Sequence, residues 1–169
     1  EHNEIAIRGT VLHMVNHSMI KLVLFMAAGV IFMDAHALDL NVIRGFGRKK
    51  PLLKGIFLVG ALAIGGVPLF GGYISKTLLH ESIVEYLHLL EHDGLPTGLF
   101  TVLEWLFLIA GGLTAAYMTR LFICLFVEKN ADPALQADFD SRNGRYMKPL
   151  TGAVLLLGGL TVAVLGMTP

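Results

Sequence analysis

GGVPLFGGYISK, residues 65–76, interrupts an otherwise continuous apolar run. Pro68 brings no backbone N–H, and Gly71 and Gly72 admit dihedrals that a helix does not use. A helix broken here leaves backbone groups without partners. At membrane depth such a break is tolerated only inside protein or beside water. The first question is therefore whether this stretch lies in a membrane.

Composition answers it. The chain has 169 residues, 54% hydrophobic and 15% charged, with a mean hydropathy of +0.67. Soluble domains carry about 25% charged residues. A hydrocarbon core about 30 Å thick needs roughly 20 apolar residues per helix. Residues 55–74 carry no charge, 105–127 only Arg120, and 149–169 none. A fourth window, 9–33, is long enough but includes His13, Asn16, His17 and Lys21. The expected fold is all-α, a polytopic transmembrane helical bundle, in an integral, multi-pass membrane protein.

The same inventory excludes other classes. Net charge is zero, so no nucleic-acid partner is indicated. Cys124 is the one cysteine, and there is no CxxC or Cys/His cluster for zinc, haem or iron–sulfur. No GxGxxG or P-loop appears. No cofactor, no metal and no catalytic redox residue is expected in this chain. It starts with Glu1 and shows no signal peptide before the first span, so it reads as a piece of something longer.

Along the chain the expected order is as follows. Residues 1–8 form a polar loop, 9–34 a transmembrane helix, and 35–51 a basic loop with Arg44, Arg48, Lys49 and Lys50. Residues 52–67 form a second span rich in small residues, which let helices approach closely in lipid. Residues 68–92 form a broken transmembrane helix carrying Lys76, and 93–98 a turn. Residues 99–127 span again, 128–147 form a polar loop, and 148–168 the last span.

His13, His17 and Lys21 stand at i, i+4 and i+8, so a helix puts them on one face about 6 Å apart per step. Apolar surroundings disfavour the charged form of a lysine, and histidine titrates near neutral pH already. A ladder of such groups with water between them is what proton relays are built from. The bland alternative, Lys21 snorkelling to water, is hard for a residue about 12 positions from either end of its span. Lys76 follows the break, where half-helix ends mark ion sites in transporters; it could equally cap the span at the surface. His80 lies one turn beyond Lys76 and could share its face. Glu81 and Glu85 suit a solvated face. Glu104 and Arg120 suit the interfaces, and Trp105 and Tyr117 suit belts or packing. His36 carries no specific signal.

Together, HMVNHSMIKLVLFMAAG (13–29) and GGVPLFGGYISKTLL (65–79) resemble the antiporter-like subunits of respiratory complex I, the NADH:quinone oxidoreductase. They are also similar to Mrp-type cation/proton antiporters and group 4 membrane-bound hydrogenases. The matching residues are His13, His17 and Lys21, then Val67-Pro68 and Gly72-Tyr73-Ile74-Ser75-Lys76. GGLTAAYMTRLFICLFVEK (111–129) resembles the family's next span. The resemblance implies two inverted repeats, each with a broken helix, of which this chain would be the C-terminal one. It implies a proton relay of His13, His17, Lys21 and Lys76; His80 and Glu104, outside what the resemblance covers, are the candidates for a secondary relay. It implies proton or cation/proton translocation coupled to electron transfer in partner subunits of a multisubunit complex in a prokaryotic cell membrane. Protons, and Na⁺ in the Mrp-type alternative, would be the cargo, the lipid bilayer the surroundings. A purely structural membrane subunit is the other alternative.

The basic loop at Arg48–Lys50 would face the cytoplasm by the positive-inside rule. So would the loop with Lys129, Arg142, Arg145 and Lys148. The family pattern is read as three crossings between them, which puts them on opposite faces. Both could be inside if residues 76–92 lay flat on the surface.

Overall fold

A computed structural model describes residues 2–142 and 147–165. Arg145 and residues 166–168 of the expected last span lie outside the described residues. Seven helices make up the described chain: α1 (His2–Ala35), α2 (Leu40–Ile43), α3 (Pro51–Gly65), α4 (Gly71–His92), α5 (Gly98–Phe126), α6 (Pro133–Ser141) and α7 (Pro149–Leu165).

Helix α1 begins at His2, so residues 2–8 are helical rather than a loop. Arg8 and Glu4 pair one turn apart at 2.6 Å. Gly9 packs closely on Leu78 of α4, which continues the helix–helix seam to this end. At 34 residues α1 is about 50 Å long, more than a hydrocarbon core requires. Two further helices fall where only loop is expected: α2, capped by Asp39 accepting from Asn41 N at 2.8 Å, and α6, opened by Pro133 and capped by Asp132. Both caps follow the ordinary preference for Asp before a first turn, and α6 adds Pro at its start.

The order of contacts along α1 decides the topology. Gly9 lies against Leu78, His13 against Ser75, Asn16 against Gly71, and Leu24 against Gly60. Partners from α4 thus give way to partners from α3 as α1 advances. The two helices are stacked end to end, antiparallel to α1, and make one interrupted rod. Helix α3 has 15 residues, about 22 Å, and is too short to cross by itself. The 55–74 window is therefore not one helix, because residues 66–70 interrupt it. Helix α5 runs antiparallel to the same rod, with Phe100 on Tyr86, Glu104 on His80 and Phe126 on Phe57. Gly158 and Gly159 of α7 pack on Val23 and Ile56.

This corrects the expected crossing count. Two rods, not three, separate the basic loops, and the loops touch. Asn130 Nδ2 donates to the carbonyls of Val42 (2.8 Å) and Arg44 (3.0 Å). Arg142 donates to the Asp34 carbonyl at 3.0 Å. The N–H groups of Gly45 and Gly47 bond the carbonyls of Cys124 and Leu125, capping the end of α5. Lys50, which the basic loop would leave in solvent, is fully buried. Its Nζ donates to the carbonyls of Phe46 (3.0 Å) and Phe139 (2.9 Å) and lies 4.2 Å from the Phe46 ring centre. Burial pushes this ammonium below the ordinary lysine range, while Asp34 and Asp140 act against that. Phe46, Phe126, Phe139 and Leu53 complete a plate that closes this end of the bundle.

Around α5 the side chains at mid-length face outward: Trp105 is 62% and Leu113 63% exposed. Apolar exposure of that extent on a long helix suits lipid, or protein from outside this chain.

The topology can be tested by labelling. In a Cys124→Ala background, single cysteines at Lys49 and Lys129 should be labelled by an impermeant maleimide from the cytoplasmic face. A cysteine at Asp93 should be labelled from the other face. Labelling of positions 49 and 129 from opposite faces would rule out the single α3–α4 rod. Replacing Lys50 by Ala leaves two buried carbonyls unpaired and should cost about 2–3 kcal/mol, read as a lower melting temperature in detergent. A variant as stable as the parent would contradict the plate's role.

Candidate functional site

The break between α3 and α4 is built from residues 62–76. Gly66 sits at φ +79°, the left-handed conformation that ends helices. Its N–H bonds the Ala63 carbonyl, and the N–H of Val67 reaches back to Leu62. These two bonds are the Schellman pattern, and they leave the carbonyl of Ile64 outside it. In a continuing helix that carbonyl would accept from residue 68, but Pro68 has no N–H. Lys76 supplies the missing donor, with Nζ 2.8 Å from Ile64 O. The negative end of the α3 dipole favours a cation at this point. Leu69, at φ +78°, is a second left-handed residue, and its Cβ makes that conformation strained.

Gly72 makes the junction compact. A Cβ there would come within 1.9 Å of the Ala63 carbonyl oxygen, so the two half-helices meet through backbone. Asn16, buried on α1, donates from Nδ2 to the Gly71 carbonyl at 2.9 Å. His13 Nδ1 lies 3.0 Å from Ser75 Oγ, which in turn donates to the Gly72 carbonyl at 3.3 Å. The His13 and His17 rings stack 5.5 Å apart.

His13, His17, Lys21 and Lys76 all line one cleft of about 160 Å³ between α1, the break and α5. At about 30 Å³ of liquid volume each, several waters fit such a space. The cleft therefore brings two amines and two imidazoles around a space that admits water. His80 and Glu104 stand apart from it, along α4 and α5. They pair at 3.2 Å, half-buried, with Phe107 stacked on the His80 ring. Among the described residues no group of His, Cys, Asp and Glu is arranged to hold a metal.

Asn16, Ser75, Thr114 and Tyr117 are site residues that sequence reasoning does not assign. Asn16 has a usable signal, an amide inside an apolar span at the level of the two histidines. Thr114 and Tyr117 have none, because about 40 residues separate them from Lys76.

A family described as NADH:quinone oxidoreductase/Mrp antiporter, TM, matches residues 2–91. The chain belongs to this family. It is an integral membrane protein, in keeping with helices such as α1 and α5 that are long and apolar enough to cross a bilayer. The chain is 30% identical over 152 residues to NADH-ubiquinone oxidoreductase chain 5 of Lumbricus terrestris, covering 89% of this chain and 23% of that protein. It is 31% identical over 116 residues to the A/B subunit of a probable K(+)/H(+) antiporter of Rhizobium meliloti (strain 1021), covering 69% and 11%. A putative antiporter subunit mnhA2 of Staphylococcus aureus (strain MRSA252) is 22% identical over 117 residues, covering 69% and 14%. The chain thus spans less than a quarter of the length of these three relatives.

Substituting Gly66 by Ala should cost about 1–2 kcal/mol through its positive φ. The added Cβ would also stand 3.1 Å from Lys76 Cδ. Thermal unfolding in detergent measures the cost, and an unchanged melting temperature would refute the strained cap.

Proposed function

We propose that this chain is part of an antiporter-like subunit that moves protons across a prokaryotic cell membrane. It works within a multisubunit complex, surrounded by lipid, and electron transfer in partner subunits drives it. The observation that carries this reading is the Lys76 ammonium on the Ile64 carbonyl, facing a cleft that also holds Lys21 and both histidines.

The proposed sequence of events follows from charge. No carboxylate among the described residues lines the cleft, so none of them is a counter-ion there to the two amines. Like charges in a low-dielectric space disfavour simultaneous protonation. In this reading Lys21 and Lys76 change protonation in alternation. His17 and His13 carry the transfer between the two. Lys76 releases towards His80, one turn further along α4, and its hydrogen-bond partner Glu104 of α5, which together accept and discharge the proton. Quinone, nucleotide and electron carriers belong to the partner subunits, so this chain is a non-redox part of the translocase.

A Mrp-type Na⁺/H⁺ antiporter subunit is the second reading, supported by the antiporter names among the relatives. Flux strictly dependent on Na⁺ in sealed vesicles would favour it.

In the full-length subunit within its complex, Lys76→Ala should abolish coupled proton flux while leaving the complex assembled. Lys21→Ala should do the same. Pumping at the parental rate in the Lys76 variant would defeat the proposal. Loss of assembly without specific loss of flux would instead indicate a structural subunit.

A further inference from the structure

The cleft has a third wall. Thr114 and Tyr117 of α5 line it together with Lys21 and Lys76. Neither residue has a part in the relay described above.

What they add is hydrogen-bond acceptors. A buried water makes about three hydrogen bonds, so a water chain needs acceptors on its walls as well as donors. A protonated lysine has three donors and no acceptor, and a protonated histidine donates from both nitrogens. The acceptors that α1 and α4 offer as neutral groups therefore vanish whenever those groups load a proton. The Ile64 carbonyl already accepts from Lys76, which leaves it a single further lone pair. Hydroxyls behave differently, because they keep their lone pairs throughout. Thr114 Oγ1 donates its one hydrogen to the Ala110 carbonyl at 2.8 Å, which leaves its lone pairs as acceptors. The Tyr117 hydroxyl has no protein partner among the described residues, and it both donates and accepts. Both lie on one face of α5, three residues apart.

We propose that Tyr117 and Thr114 are positioning residues of the path, holding water between Lys21 and Lys76 through acceptors that persist in every protonation state. This rests on reading the cleft as a proton path, and it adds α5 to a site otherwise made of α1 and the broken rod. It also gives a role to the stretch 111–129, whose polar residues the relay leaves unused.

The test uses the full-length subunit in its native complex, in sealed vesicles, with assembly, electron transfer and proton flux read together. Tyr117→Phe keeps the ring and removes only the hydroxyl. It should lower flux roughly ten-fold, the equivalent of one hydrogen bond, at unchanged assembly. Thr114→Val should lower flux as well, whereas Thr114→Ser, which retains the hydroxyl, should restore it. Parental flux in both Tyr117→Phe and Thr114→Val overturns the proposal. Equal loss in Thr114→Ser and Thr114→Val overturns it too, since packing alone then accounts for the effect. Should Tyr117→Phe not assemble, the Thr114 pair decides alone. Lys76→Ala separates the two levels: retained flux there defeats the path itself. Abolished flux beside silent hydroxyl variants defeats only the role of α5.

Discussion

A carbonyl left over at the end of a half-helix, and a lysine tethered twelve residues away, organise this molecule. Ile64 O has no backbone donor, because the helix ends at Gly66 and residue 68 is proline. In water such a group would be solvated; in a bilayer it must find a partner within the protein. Lys76 provides it and spans the junction in doing so. That bond ties α3 to α4, aligns the two halves as one rod, and sets an ionisable amine beside α1. Asn16 and Ser75 add neutral hydrogen bonds around the same break, to the carbonyls of Gly71 and Gly72 at the start of α4.

The other end of the bundle is governed by a different constraint. There the chain turns twice, and the two turns share a core of Phe46, Phe126 and Phe139 around the buried Lys50. Backbone carbonyls at the end of α5 are taken by Gly45 and Gly47, so a helix end is capped by a loop far away in sequence. This plate holds the ends of α1, α3 and α5 in register. It also places the two basic loops side by side, which makes them agree with the positive-inside rule without any segment lying flat on the membrane.

Much of the site is legible locally. The i, i+4, i+8 spacing of His13, His17 and Lys21 puts them on one helix face, and they do line one cleft. Pro68 with its neighbouring glycines marks the break, and Gly66 takes the positive φ there. Local reading fails where the partner is remote. A stretch of charge such as Arg48–Lys50 reads as solvated, yet Lys50 is buried because Phe139, 89 residues on, supplies a carbonyl to it. Residues 68–92 read as a crossing separate from 52–67, because an interruption looks the same whether the chain turns back or continues on its axis.

The amino-acid sequence by itself determined the class of this protein: helical, membrane-embedded, with a titratable ladder on one span and a lysine after a break. Those properties depend on composition and on spacings of a few residues, and helical periodicity converts them directly into faces. Only the tertiary structure decided that the broken halves stack as one rod, that the basic loops meet, and that Thr114 and Tyr117 line the cleft. Each of these depends on which carbonyl, ring or hydroxyl finds a donor between segments remote in sequence, and short-range spacing carries no record of that choice.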